Sequence, residues 1–369
     1  MSLPSELLLP VKQKLNYGFI YDILARSLIS TTVGSATITQ NANALAVLDT
    51  GTTTGSSATL QSRRLVNNEN GLGIIAKFTV NFSNGRANTT QLIGLGDDSD
   101  NGLFFGYNGS DFGILYRRRG NDTWINRSNW NVSDFLVFDP TKGNTYQIRF
   151  EYRGLGIIEF GIEDAAGKFF LVHRIEFQIN FTGVQRPLLV NSSMSFFAKV
   201  DNSSTTNDLT LKIASMLAYS IGDDFQLGLP WSTSNKTTLA IDTEKLIFAI
   251  RNRPNFNAES NRRALQLKYL SLSTDGTKPV IFKIYIQSTI TGGTWIDIDN
   301  SNSIVEVKTS GTRSNDFFVT GLVLSKDNSG ILPLENLNLV LNPGEILAVT
   351  GESGAASDVE ALLTWNEGI

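Results

Sequence analysis

The segments "TYQIRFEY" (145–152), "IIEFGIE" (157–163) and "IEFQINF" (175–181) place an apolar side chain at every second position. In the first, Tyr146, Ile148, Phe150 and Tyr152 alternate with Gln147, Arg149 and Glu151. In the second, Ile158, Phe160 and Ile162 alternate with Glu159, Gly161 and Glu163; in the third, Ile175, Phe177, Ile179 and Phe181 alternate with Glu176, Gln178 and Asn180. Successive side chains of a strand point to opposite faces, so this period means antiparallel strands that cover a core on one side only. The short Arg153-Gly154 link makes the first two a hairpin. "FFGYNGSDFGILY" (104–116) is a second hairpin with Asn108-Gly109 at its tip, a pair that takes the positive φ angles of a type I′ turn.

The same pattern recurs toward the C-terminus. "RALQLKYLSLS" (263–273), "PVIFKIYIQ" (279–287), "LNLVLN" (337–342) and "EILAVTG" (345–351) read as short strands at even spacing, as in a sandwich or jelly roll. Asn342-Pro343-Gly344 reads as the turn of a hairpin between the last two, and "VEALLTWNEGI" as the final strand, with Trp365 a core or interface anchor. "NPGEILAVTGESGAASD" (342–358) superficially looks like a phosphate-gripping loop. It lacks the lysine such a loop needs, and Asp358 puts negative charge where phosphate would sit.

Composition agrees with a turn-rich β protein. Only 18% of the 369 residues are charged, against roughly 25% in ordinary globular chains. Asn, Ser, Thr and Gly fill the gap and suit tight turns. The length predicts more than one core. The Gly-, Pro- and Asn-containing stretch near 220–235 places a boundary, giving an N-terminal arm at 1–30, a concanavalin-like β-sandwich at 31–222 and a second β-sandwich or jelly roll at 223–369. Within 31–65, two short strands are expected around 35–40 and 44–48. For 11–30, the spacing of Leu15, Phe19, Ile20, Ile23, Leu24 and Leu28 suits a helical or extended arm docking on a neighbour, and equally a first strand.

The net charge of −4 argues against nucleic acid as the main partner. The run Arg117-Arg118-Arg119 reads as a solvated strand end or an ion-pair partner. The absence of cysteine excludes disulfides, thiol catalysis and cysteine-based metal sites. No segment is apolar enough to span a bilayer, so no membrane insertion is expected. The N-terminus shows no basic-then-apolar leader pattern, Pro10 and Lys12 interrupting it.

Catalytic constellations are sparse. His173, the single histidine, lies inside an expected strand with no nucleophile motif near it. Asp97, Asp98 and Asp100 cluster in "GDDSDNG" (96–102) without the spacing of a calcium loop, so an acidic turn is expected and no metal or cofactor. Glu159 and Glu163 share one face, as paired carboxylates of a glycanase would, but that face is the solvent side of an ordinary sheet. The densest aromatic and polar run is "RRRGNDTWINRSNWN" (117–131). Sugars stack on exposed indole faces and bond to flanking amides. Tyr107, Asn108, Trp124, Asn129 and Trp130 are therefore the candidate glycan or partner contacts. Packing of both tryptophans over the sheet edge is the competing structural role.

"TQLIGLGDDSDNGLFFGYNGSDFGILYRRRGNDTWINRSNWN" (90–131), "LIFAIRNRPNFNAESNRRALQLKYLSLSTDGTKPVIFKIYI" (246–286) and the C-terminal segment from Leu337 resemble modules of virion structural proteins of large double-stranded DNA viruses and tailed phages. The resemblance covers about a third of the chain and rests on turn-and-strand patterns. It implies a capsid, fibre or tail component without catalysis, a homo-oligomer in contact with other virion proteins. It further implies assembly in the host cytoplasm and recognition of a host-surface glycan at one end. A carbohydrate-binding lectin or adhesin is the alternative, and a β-sandwich glycanase a third.

Overall fold

The alternating segments pair as their pattern requires: Asn144–Glu151 lies antiparallel to Ile158–Glu163, with Tyr146 opposite Ile162 and Ile148 opposite Phe160. The computed structural model describes residues 11–20, 22–67, 73–132, 138–151, 157–164, 166–176, 193–221, 228–261, 263–337 and 339–368. The expected strand at 175–181 falls mostly outside them. Among the described residues the fold is all-β, with helical structure confined to the 3-10 turns Arg127–Asn129 and Glu335–Leu337. The chain forms two compact units, Met1–Asp224 and Phe225–Ile369.

In the first unit the strands are β1 (Val11–Gly18), β2 (Leu28–Val33), β3 (Thr37–Gln40), β4 (Ala46–Asp49), β5 (Ser57–Asn67), β6 (Gly73–Phe82) and β7 (Thr90–Gly96). There follow β8 (Asn101–Asn108), β9 (Asp111–Arg118), β10 (Asn121–Asn126), β11 (Asn144–Glu151), β12 (Ile158–Glu163), β13 (Phe169–Ile175), β14 (Ser193–Asp201) and β15 (Thr210–Ile221). They build a seven-stranded sheet in the order β10-β9-β8-β7-β14-β5-β2 and an eight-stranded sheet in the order β13-β12-β11-β6-β15-β4-β3, with β1 on β15. The two sheets enclose Phe78, Phe82, Phe105, Tyr146, Phe160 and Phe196, all buried in one cluster. Each such ring contributes roughly 1.5–3 kcal/mol by leaving water. This is the concanavalin-like sandwich expected of the first domain.

Several local expectations differ from the structure. Of the two readings of 11–30, the described residues form the first strand of the sandwich: Val11–Gly18 pairs along β15, and Leu15 and Phe19 are buried. Ile20 and Leu24 are exposed, and a single turn closed by the Leu28 N–H on the Leu24 carbonyl leads into β2. At the β8–β9 tip, Asn108 faces Asp111 across the ladder, so the turn residues are Gly109 and Ser110. Of these only Gly109 has positive φ, at 64°, which is a type II′ turn with glycine at its first central position.

The second unit is again built on two packed sheets, one of five strands and one of six, with two further two-stranded ribbons. Trp365, fully buried, sits in the core between them with Phe248 and Phe282. The turn Asn342-Pro343-Gly344 is not that of a hairpin. Val340–Leu341 pairs in the five-stranded sheet, whereas Ile346–Ser353 pairs in the six-stranded one, so the turn arches between layers. The stretch around Trp231 that looked like a break is a strand, Gly228–Leu239, paired along its length with Ser357–Gly368. It is an edge strand, which is why Pro230 and an outward row of Ser, Lys and Thr are tolerated.

Candidate functional site

β10 is the edge strand of the seven-stranded sheet, and its alternation sets two side-chain populations apart. Ile125 packs against the core between the sheets. Trp124, half-buried, packs on the opposite face against Leu92, Phe104, Leu115 and Phe197, a separate apolar cluster. Ladder register aligns Trp124, Leu115, Phe104, Gly94 and Phe197 in one row across five strands. The sheet thus carries a second apolar layer turned away from the main core, and Trp124 ends it.

This layer was missed by the period-two analysis, and the signal was in the sequence. "GLFFGYNGSDFGILY" is a near-continuous apolar and glycine run, the mark of strands covered on both faces. Phe104, Leu115 and Phe197 are at most 1% exposed.

Polar groups border the row. Arg117 donates from Nε to Asp122 Oδ1 at 2.6 Å and from Nη2 to Oδ2 at 3.0 Å, directly beside Trp124 in the ladder. Its guanidinium lies 5.8 Å from the Phe104 ring centre. The hydrogen bonds to Asp122 raise the Arg117 pKa above its ordinary value, with burial opposing. Thus the first arginine of the triplet is an ion-pair partner. On β14, Lys199 pairs with Asp98 at 2.9 Å and Asp201 at 3.4 Å. The Asp97 carboxylate accepts the N–H groups of Ser99 and Asp100, so it closes its own turn.

The other candidate contacts lie elsewhere. Tyr107 is buried in the main core, its ring 5.0 Å from Phe112 and 5.9 Å from Phe82; burial, aided by Asp139, raises its hydroxyl pKa. Asn108 is exposed at the hairpin end and Asn129 is exposed in the 3-10 turn. Trp130 stacks on Phe138, with centroids 6.0 Å apart and planes 3° from parallel, and meets Phe105 and Phe112 edge-on. The 3-10 turn Arg127–Asn129 breaks the strand alternation between the two tryptophans. The structure therefore joins Tyr107 and Trp130 through Phe112 in the core and leaves Trp124 apart on the outer face.

Glu159 and Glu163 lie on β12, facing away from the core. Glu159 accepts from Arg174 at 2.8 Å, and Glu163 from Lys77 at 2.5 Å.

No family model and no curated protein matches the chain. Among solved structures, a glycosyl hydrolase family protein from Mycobacterium fortuitum is similar at 11% identity and a TM-score of 0.40, over 56% of this chain and 99% of that one. A β-1,3-glucanase from Mycobacterium marinum is similar at 8% identity and a TM-score of 0.40, over 56% and 98%. The carbohydrate recognition domain of Emp46p is similar at 9% identity and a TM-score of 0.37, over 57% and 98%. The expectation that this chain has no catalytic role is contradicted by the glycosyl hydrolase family protein and the glucanase among these similar structures.

Proposed function

We propose that the chain binds carbohydrate on the outer face of its seven-stranded sheet, with Trp124 as the stacking surface. The observation that carries this reading is the position of Trp124: partly buried on an edge strand, facing away from the inter-sheet core and backed by the buried Leu115 and Phe104. A ring fixed from behind offers its free surface to the C–H face of a pyranose at small cost in side-chain entropy. Asn126 shares that face two residues along the strand. The Arg117–Asp122 pair stands on the other side and supplies oriented donors and acceptors for hydroxyl groups.

A glycan array probed with the full chain tests the reading. Binding to at least one neutral oligosaccharide, lost in Trp124→Ala and retained in Trp130→Phe, is the expected result. Turnover of a bound oligosaccharide, followed by reducing-end release, would move the reading from a lectin to a glycanase, and Glu159→Gln and Glu163→Gln test whether the β12 carboxylates perform it.

A further inference from the structure

Residues 130–132 leave the 3-10 turn after β10, an edge strand of one sheet, and run against β13, an edge strand of the other. Four hydrogen bonds tie them to β13. The Val132 N–H donates to the Val172 carbonyl at 3.4 Å. Asn131 Nδ2 donates to the Arg174 carbonyl at 2.7 Å, and the Arg174 N–H returns a bond to Asn131 Oδ1 at 2.8 Å. The fourth is different in kind: the Asn131 backbone N–H donates to Nδ1 of His173 at 3.2 Å.

A ring nitrogen accepts a hydrogen bond only when it is unprotonated, so this contact requires the neutral imidazole with its proton on Nε2. His173 is 6% exposed, held inward where the β12–β13 register shifts between Phe160 and Gly161. The charged groups on the surrounding elements are engaged elsewhere. Arg174 of β13 pairs with Glu159 of β12 and lies 3.9 Å from Glu176. Arg127, in the turn before the segment, donates to the Phe138 carbonyl and stacks on its ring. Asp139 accepts from Thr141. Burial alone acts on the imidazole and lowers its pKa.

We infer that His173 is a pH-operated latch: protonation at Nδ1 sets a donor against the Asn131 N–H and breaks that bond, so the Trp130 segment, still held to β13 by its three other bonds, opens more often. The inference is independent of the Trp124 surface, which lies on the other side of the sheet. In the closed form Trp130 covers the edges of Phe105 and Phe112 and the face of Phe138. Release uncovers these rings at the end of the sandwich. Because the folded pKa is lowered, the neutral form is favoured at neutral pH, and the latch weakens as pH falls below the unfolded value of about 6.5.

The single histidine makes the test direct. Nitrogen-correlated NMR of the full chain reports the tautomer and titration of one imidazole with no overlap. Amide exchange at Asn131, corrected for its intrinsic pH dependence, reports the latch. The expected result is an Nε2–H imidazole at pH ~7.5 and a drop in Asn131 protection of about tenfold or more that follows the imidazole titration, while β8 and β9 amides stay protected. In His173→Gln, whose carbonyl accepts without titrating, protection should be flat over the same range. An Nδ1–H tautomer at neutral pH, constant protection through the wild-type titration, or an unchanged acid drop in His173→Gln would each overturn the inference. The wild-type measurement decides it even if the variant does not fold.

Discussion

Trp124 and Trp130 lie on opposite sides of one sheet: Trp124 caps an apolar row on the outer face, and Trp130 stacks on Phe138 within the inter-sheet core. Their alanine variants should therefore separate binding from stability. Trp130→Ala removes a core-facing ring and should cost about 3 kcal/mol, seen as a lower urea midpoint with an unchanged slope. Trp124→Ala should cost about 1 kcal/mol, since the ring is only partly buried, and should abolish glycan capture. Loss of capture in Trp130→Ala at unchanged stability would reverse this assignment of faces.

The strands were legible wherever one face was polar. Gln147, Arg149, Glu159 and Glu163 lie off the core face as the alternation requires, although Gln147 is buried rather than solvated, and the pairing of Thr37–Gln40 with Ala46–Asp49 matches the two short strands expected there. The two tryptophans were not separable, because the three-residue 3-10 turn between them changes side-chain direction without any strong residue signal. Nor was the arch at Asn342–Gly344 legible. Proline and glycine fix a reversal of the chain, but whether its two strands hydrogen-bond to each other or cross between layers depends on partners distant in the sequence. Leu341, for example, pairs with Leu265. The Gly228–Leu239 strand was hidden for a related reason: an edge strand needs apolar residues on only one side and tolerates Pro230.

Gly106 on β8 tests how closely the strands of the candidate site approach. A Cβ added there would lie 1.9 Å from the Gln91 carbonyl oxygen on the neighbouring strand. That atom is backbone and cannot swing aside. Gly106→Ala should therefore push β7 and β8 apart and destabilise the first unit by about 3 kcal/mol, the upper range of overpacking costs. Gly143, with open space around its would-be Cβ, is the control, and Gly143→Ala should stay within about 0.5 kcal/mol of wild type. Equal melting temperatures for the two variants would contradict the close approach.

In the second unit a charge network should make stability depend on acid. Glu244 accepts from Lys283 at 2.9 Å, from Arg313 at 2.9 Å and from Thr350 at 2.8 Å. Burial pushes its carboxyl pKa up, but the hydrogen bonds from Lys283 and Thr350 and the charge of Arg313 outweigh it and hold the value below the ordinary 4.5. A carboxyl depressed in the folded state binds its proton more readily unfolded. Its contribution is thus complete above the unfolded value and is lost as pH falls through the folded one. Glu244→Gln should cost about 1 kcal/mol at neutral pH, discounted for the partial exposure of the three charged side chains, and the difference from wild type should be smaller at an acid pH below the ordinary carboxyl value. Urea melts at both pH values check it, and a constant difference would show that the charge is not what matters.

Glu367 is the most consequential polar residue of the second core, because it is buried and fully used. Its Oε1 accepts from Ser303 Oγ at 2.6 Å and from Trp365 Nε1 at 3.0 Å, and its Oε2 accepts from the Ile304 N–H at 2.9 Å. Glu367 lies on Ser357–Gly368 in the five-stranded sheet, whereas Ile304 precedes Val305–Lys308 in the six-stranded one. The carboxylate therefore ties the two layers at one end of the sandwich and also fixes the indole of Trp365. An amide of the same shape has a single acceptor oxygen. In Glu367→Gln the amide nitrogen must face either the Ile304 N–H or the Ser303 and Trp365 donors, and a buried donor is left without an acceptor. The expected cost is about 2 kcal/mol. Ser303→Ala removes one of the three donors to the carboxylate and also takes the Ser303 Oγ acceptor from the buried Val305 N–H, which donates to it at 3.1 Å, so it should cost about 1.5 kcal/mol. Combined, the two changes should cost less than their sum, because the lost hydroxyl no longer needs an acceptor. Strict additivity in urea unfolding, with unchanged Trp365 fluorescence, would mean that the carboxylate is not the shared partner of these groups.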